Sequence, residues 1–234
     1  MDRSSQETSA KLLEGIAEIS KAIMERNYID DILSLIVSVT AKVTGSTICS
    51  LLLLDKNKKE LVLRASQSPS GQYNQKSNTP LGKGIAGRVA LTGHAMKVLD
   101  VCKDPRFLNK EIAIKDGLVS LLSVPMSVDG EVIGVINCYT SEKYDFSNED
   151  IQMLTTVASQ SAIILKNTEL RIMKEVVERE LEERKTIERA KEIIMEKRAI
   201  PGKQAFELMR EQSMNSRTSM VKIAESIIVA SAFD

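Results

Sequence analysis

The sequence predicts an amino-terminal α+β unit, an antiparallel sheet with flanking helices, joined by a long helix to an all-α three-helix module. Three observations carry this. Two pairs of apolar, strand-length runs are each joined by a polar turn: residues 47–55 with 60–66 through Lys56, Asn57, Lys58 and Lys59, and 118–128 with 131–141 through Asp129 and Gly130. The Asp-Gly pair favours the tight turn of a two-residue hairpin. No glycine or proline stands between Ser147 and Pro201, so nothing in the chain has to break a helix over about fifty residues. Beyond Pro201 and Gly202, two further amphipathic patterns follow, one on Ala205, Met209 and Gln212, the other on Met220, Ile223, Ala224, Ile227 and Ile228.

The remaining elements follow from local spacing. Leu12, Ile16, Ile19 and Ile23 fall on one face of a helix over residues 8–26. Ile29, Ile32, Leu33, Ile36, Val39 and Val43 mark a second helix that stops at Gly45, a residue suited to a left-handed helix end. Residues 67–79 are a polar loop, and 97–101 a short strand. Ser147 can cap the long helix, with Glu149 and Asp150 well placed in its first turn.

Composition narrows the function classes. With 234 residues, 43% hydrophobic, 27% charged and a net charge of zero, the chain fits a soluble globular protein and no disordered class. Its polar start lacks a signal-peptide core, and its apolar runs are too short to span a bilayer, so a cytoplasmic protein without membrane contact is expected. Three cysteines (Cys49, Cys102 and Cys138), no CxxC and a single histidine, His94, argue against structural zinc. Cys49 and Cys138 lie in apolar strands as buried thiols, His94 and Cys102 read as loop residues, and no metal or cofactor is expected. Gly82, Gly84 and Gly87 match GxGxxG. The residues before them are polar and no acidic partner follows at the right distance, so a dinucleotide site is set aside.

The stretch PLGKGIAGRVALTGHAMKVLDVCKDPRF (80–107) resembles the central segment of GAF domains, and SVPMSVDGEVIGVINCYTSEKYDFSNEDIQML (123–154) resembles their closing hairpin and helix. The resemblance implies a GAF-like sensor over residues 1–166 that can hold a small molecule between sheet and crossing helices. By analogy its pocket would be faced by Leu63, Ile85, Val89, Ser120, Leu122 and Asn137.

Residues 167–183 read as a helical coiled-coil linker. Leu170, Met173, Val177 and Leu181 form a narrow apolar stripe among charges, which predicts a homodimer seam. The tail from Arg184, RKTIERAKEIIMEKRAIPGKQAFELMREQSMNSRTSMVKIAESII, closely resembles the ANTAR domain in its Arg-xx-Ile-xx-Ala-Lys opening, its Ala205-Phe206 pair and Leu208-Met209-Arg210. This implies an RNA-binding module over residues 184–234, with Arg184, Lys191 and Arg210 at motif positions. Glu192 departs from the glycine usual there. Between Arg184 and Lys222 ten Lys and Arg stand against five Glu, a local charge of +5 that gives phosphate a footprint. Lys203, Arg217 and Lys222 are further backbone-contact candidates, while Phe206 is expected in the core. The expected function is signal-responsive transcription antitermination through paired RNA hairpins in leader transcripts, by a homodimer with a small-molecule ligand of unspecified identity, and not an enzyme. The alternatives are a GAF relay acting through protein contacts and a GAF-type thiol sulfoxide reductase.

Overall fold

The computed structural model describes residues 29–68 and 77–232; the helix expected over 8–26 and most of the loop expected over 67–79 lie outside them. The chain divides into two compact units at Thr168 and Glu169. Helix α1 (Ile29–Thr44) buries Ile32, Leu33, Ile36, Val37 and Val39, and carries Asp30 and Asp31 in its first turn and Lys42 in its last, each at the favourable end of the helix dipole. Gly45, at φ +64°, ends it as its sequence position predicts.

Six strands follow: β1 (Ile48–Asp55), β2 (Glu60–Ser66), β3 (Thr79–Pro80), β4 (Met96–Val98), β5 (Ser120–Val128) and β6 (Glu131–Thr140). Interleaved with them are α2 (Gly84–Thr92) and α3 (Lys110–Lys115), and α4 (Asn148–Arg198) comes after. The sheet order is β3-β2-β1-β6-β5-β4, with every neighbouring pair antiparallel. Both expected hairpins form. Asp129 and Gly130 both take positive φ, the geometry a primed two-residue turn demands. Two bulges, at Arg64 in β2 and Ile133 in β6, shift the register and change which face the following residues occupy.

The sheet carries a core on each face. On one, Cys49, Leu51, Leu122, Val124, Ile136 and Cys138 pack against Ile32, Leu33 and Ile36 of α1 and Leu154, Ala158 and Leu165 of α4. On the other, Ile48, Leu121 and Tyr139 meet Ile85, Phe107 and Ala113, while Leu52, Leu61 and Val135 meet Val89. Each leucine, isoleucine, valine or phenylalanine among them, fully buried, is worth roughly 1.5–3 kcal/mol.

The strand expected over 97–101 forms over Met96–Val98 and stops before Asp100. Asp100 Oδ1 accepts hydrogen bonds from the Cys102 and Lys103 backbone N–H groups at 3.2 and 3.3 Å, which turns the chain away from the sheet. Next to it, Arg106 donates to Asp104 from its backbone N at 2.8 Å and from its guanidinium, and holds that carboxyl below the usual carboxylate range. The long helix starts as predicted: Asp150 N donates to Ser147 Oγ at 3.1 Å and Ser147 N donates to Asp150 Oδ2 at 2.8 Å, a reciprocal cap.

In the second unit the end of α4, α5 (Gly202–Ser216) and α6 (Met220–Ser231) close around Ala190, Met209 and Ala224, with Ile187, Ile194, Ile223 and Ile227 packed beside them. Ser219 caps α6 by accepting from Lys222 N at 3.4 Å. No helix among the described residues is long and apolar enough to cross a membrane.

Candidate functional site

In the first unit, the sheet face beneath α2 holds a polar row inside an apolar core. Ser50 of β1 pairs with Asn137 of β6, which pairs with Ser123 of β5, so the three side chains share one face, and all are buried. One pleat toward one end lies the apolar row Ile48, Tyr139 and Leu121; one pleat the other way, Leu52 and Val135. Neither Asn137 Oδ1 nor Ser123 Oγ has a hydrogen-bond partner in the protein. A buried polar atom in that condition costs roughly 1–3 kcal/mol, so these two atoms mark a place where a partner is to be supplied. Over Asn137 lies a cavity of about 30 Å³, lined by Thr79, Ile85, Phe107, Leu121 and Tyr139 among others. That is room for about one water molecule.

Four of the six expected pocket residues lie on this face. Ile85 packs with the Tyr139 cluster, Val89 with the Val135 cluster, Leu63 touches both, and Asn137 sits between them. Leu122 does not join them. It packs on the opposite face against α1 and α4, and Ser120, two residues earlier on the same side of β5, donates to Leu99 O at 2.7 Å and accepts from Tyr144 N at 2.9 Å. A strand alternates faces at every residue, so an analogy good to one position puts half its guesses on the wrong side. Ser50, Ser123 and Thr79 were missed. Their signal was present: each is a buried polar residue at or within a strand.

The glycines of the GxGxxG match shape the loop above this face. Gly82 and Gly84 take φ of +78° and +64°. Gly87 lets α2 lie against the strand before it, because a Cβ there would stand 2.4 Å from Pro80 O. His94 is exposed, its Nδ1 2.7 Å from Thr92 O. Among the described residues no three His, Cys, Asp or Glu side chains gather as metal ligands would. Cys49 and Cys138 sit side by side on the face opposite Asn137, and Cys102 packs on the α2 side.

In the second unit Arg184, Lys203, Arg210, Arg217 and Lys222 are exposed, and Lys191 is half-buried. Lys191 pairs with Glu188 and Arg210 with Glu207 at 3.6 Å, each one helical turn away. Lys203, Phe206 and Arg210 recur at three and four residues on α5 and so share a face. Phe206, expected in the core, is 40% exposed, while its neighbours Ala205 and Met209 are buried. The apolar stripe of α5 passes through 205 and 209, and a residue one step on is rotated about 100° away from it. On α4, Leu170, Met173, Val177 and Leu181 are each more than half exposed, and the ion pairs Arg171–Glu175 and Lys174–Glu178 run along the same helix.

Comparison with known proteins agrees with both units. The model of the GAF domain matches residues 28–166, and that of the ANTAR domain residues 175–228. The chain is 26% identical over 174 residues to the methyl sulfide methyltransferase-associated sensor of Methanosarcina acetivorans, a match that covers 72% of this chain and only 17% of that protein. Among solved structures, the GAF domain of a phosphoenolpyruvate-protein phosphotransferase from Coxiella burnetii superposes with a TM-score of 0.61 at 20% identity, covering 69% of this chain and 96% of that one. Free methionine-R-sulfoxide reductase from Neisseria meningitidis superposes with a TM-score of 0.58 at 22% identity, covering 68% and 91%. At such identities the structures speak for the fold alone. With its sheet, its flanking helices and both matched segments in place, this chain belongs to the GAF domain family and carries an ANTAR domain in its second unit.

Proposed function

We propose that this chain is a signal-responsive transcription antitermination regulator whose second unit binds paired RNA hairpins in leader transcripts. The observation that carries the reading is the presence of a GAF domain and an ANTAR domain on one chain. On this reading the chain comprises a sensor over 1–166, a helical linker over 167–183 and an output module over 184–234, working in the cytoplasm. In the sensor, Asn137, Ser123, Ser50 and Thr79 supply hydrogen bonds to a small neutral ligand, and Leu63, Ile85 and Val89 wall it. In the output module Arg184, Lys191 and Arg210 contact phosphate, with Lys203, Arg217 and Lys222 along the backbone, and the exposed ring of Phe206 offers a surface for an unpaired loop base.

A second reading, a relay acting through protein contacts, draws support from the ion pairs that already occupy Lys191 and Arg210. Co-purification separates the two. The full-length protein, incubated with the leader RNAs of its own genome, is expected to enrich paired hairpins over random RNA; equal retention of random RNA would leave the relay. A thiol reductase is disfavoured because Cys49 and Cys138 lie across the sheet from the polar row.

The exposed stripe on α4 is proposed as the seam of a parallel homodimer. Replacing Val177 and Leu181 with lysine is expected to turn a dimer into a monomer in sedimentation at roughly tens of micromolar, an interface this short being modest. A wild-type protein already monomeric at that concentration would remove the seam.

A further inference from the structure

Neither sensing at the polar row nor RNA binding uses the cysteine pair on the opposite face. Cys49 and Cys138 are direct cross-strand partners of β1 and β6, both fully buried, with Sγ atoms 2.7 Å apart. Directly paired residues of antiparallel strands hold their Cα atoms about 4.5–5.5 Å apart, within the span a disulfide bridges. Against Cys138 lies a second cavity, of about 230 Å³, whose wall it shares with Leu122, Tyr144, Phe146, Asp150 and Met153 among others. Cys49 takes no part in that wall, so the two sulfurs are not equivalent: one faces the space, the other stands behind it. Leu122, Phe146 and Met153 make the space apolar, and the Asp150 carboxylate in its wall disfavours anions.

We propose that Cys49 and Cys138 are a peroxide-reactive dithiol, closed to a disulfide by a small neutral hydroperoxide that reaches Cys138 through this cavity. The Cys138 sulfur attacks the terminal peroxide oxygen as the O–O bond breaks. The departing alkoxide takes up the thiol proton and leaves as the alcohol, or as water from hydrogen peroxide, and Cys138 becomes a sulfenic acid. Cys49 then attacks that sulfur. The S–S bond forms, the S–O bond breaks, and hydroxide leaves as water with the Cys49 proton. Two thiols and one hydroperoxide give one disulfide, one alcohol and one water; the sulfurs lose two electrons and the peroxide gains them.

Burial sets the rate. Cys138 has no area open to bulk solvent, so the oxidant gains the cavity beside it by local opening, and burial pushes the Cys49 thiol well above its ordinary pKa. The reaction is slow. Cys102, packed on the other face, takes no part.

The test is a thiol count and peptide map of the full chain, purified reduced and exposed to hydrogen peroxide or ethyl hydroperoxide. After unfolding and alkylation, the expected product has lost about 2 Da, keeps one alkylatable thiol and yields a peptide joining Cys49 to Cys138. Closing so long a loop is expected to raise Tm by roughly 5–15 °C. Cys49→Ala is expected to leave a sulfenic acid on Cys138 that a dimedone probe traps, and Cys138→Ala no adduct on Cys49. Three alkylatable thiols after exposure to either oxidant, or a bridge to Cys102, would overturn the proposal in the wild-type chain alone, whether or not the variants fold.

Discussion

Replacing Gly87 with alanine is expected to destabilise the sensor unit by about 3 kcal/mol or more, lowering its Tm by roughly 6–12 °C in calorimetry of the full chain. The new methyl would stand 2.4 Å from Pro80 O and 3.2 Å from Gly82 N, both main-chain atoms. Those atoms cannot retreat cheaply. Gly82 N donates to Gly87 O at 2.8 Å, Lys83 N to Pro80 O at 3.0 Å and Leu81 N to Lys59 O at 2.9 Å, so the segment is tied to α2 and to the turn before β2. Gly117→Ala is the control. Its site has positive φ but open space around it, so only backbone strain of about 1 kcal/mol applies. A Gly87→Ala protein that melts within about 2 °C of wild type would show that α2 does not need this close approach.

In the output unit the largest effect is expected at Phe206. If its exposed ring stacks an unpaired base, Phe206→Ala should weaken binding to a paired-hairpin RNA by roughly 5- to 150-fold, the equivalent of about 1–3 kcal/mol. The slope of log affinity against log salt should not change, because no phosphate contact is lost. Lys203→Ala and Arg210→Ala should each weaken binding and also lower that slope by roughly 0.7–0.9. Titrations at several salt concentrations separate the two behaviours. A Phe206→Ala protein that binds as wild type, with its helix content intact, would return the ring to a packing role. Arg210 has to leave Glu207 to reach phosphate, so Glu207→Gln is expected to tighten binding modestly.

Most of the fold was legible because it is written in local signals: two hairpins, a glycine-ended α1, a capped α4 free of helix breakers and a three-helix tail. The candidate site was less so, for reasons of geometry. Strand β5 is buried on both faces over most of its length, so its sequence has no alternation from which to tell Leu121 from Leu122. The pairing of Cys49 with Cys138 depends on β1 and β6 becoming neighbours across 89 residues of chain, a topological fact that no local pattern encodes. Helix α3 has only six residues, two of them lysines at its ends and one glutamate, too short to display a period. Phe206 was misplaced by the habit of aromatic burial. A module this small fills its centre with Ala190, Ala205, Met209 and Ala224 and has no room for a ring.

On the proposed reading, in which a ligand binds above Asn137, the tightness of that space governs how a signal is felt. At about 30 Å³ it is already full once it holds one water, so any larger guest must lift α2 and its loop off the sheet to get in. Recognition and movement are then a single event. The work of prising the layers apart is subtracted from the guest's intrinsic affinity, and the apparent dissociation constant rises by the inverse of the fraction of molecules already open. A substitution that loosens Gly87 from Pro80 would therefore make the sensor more sensitive and less stable at once.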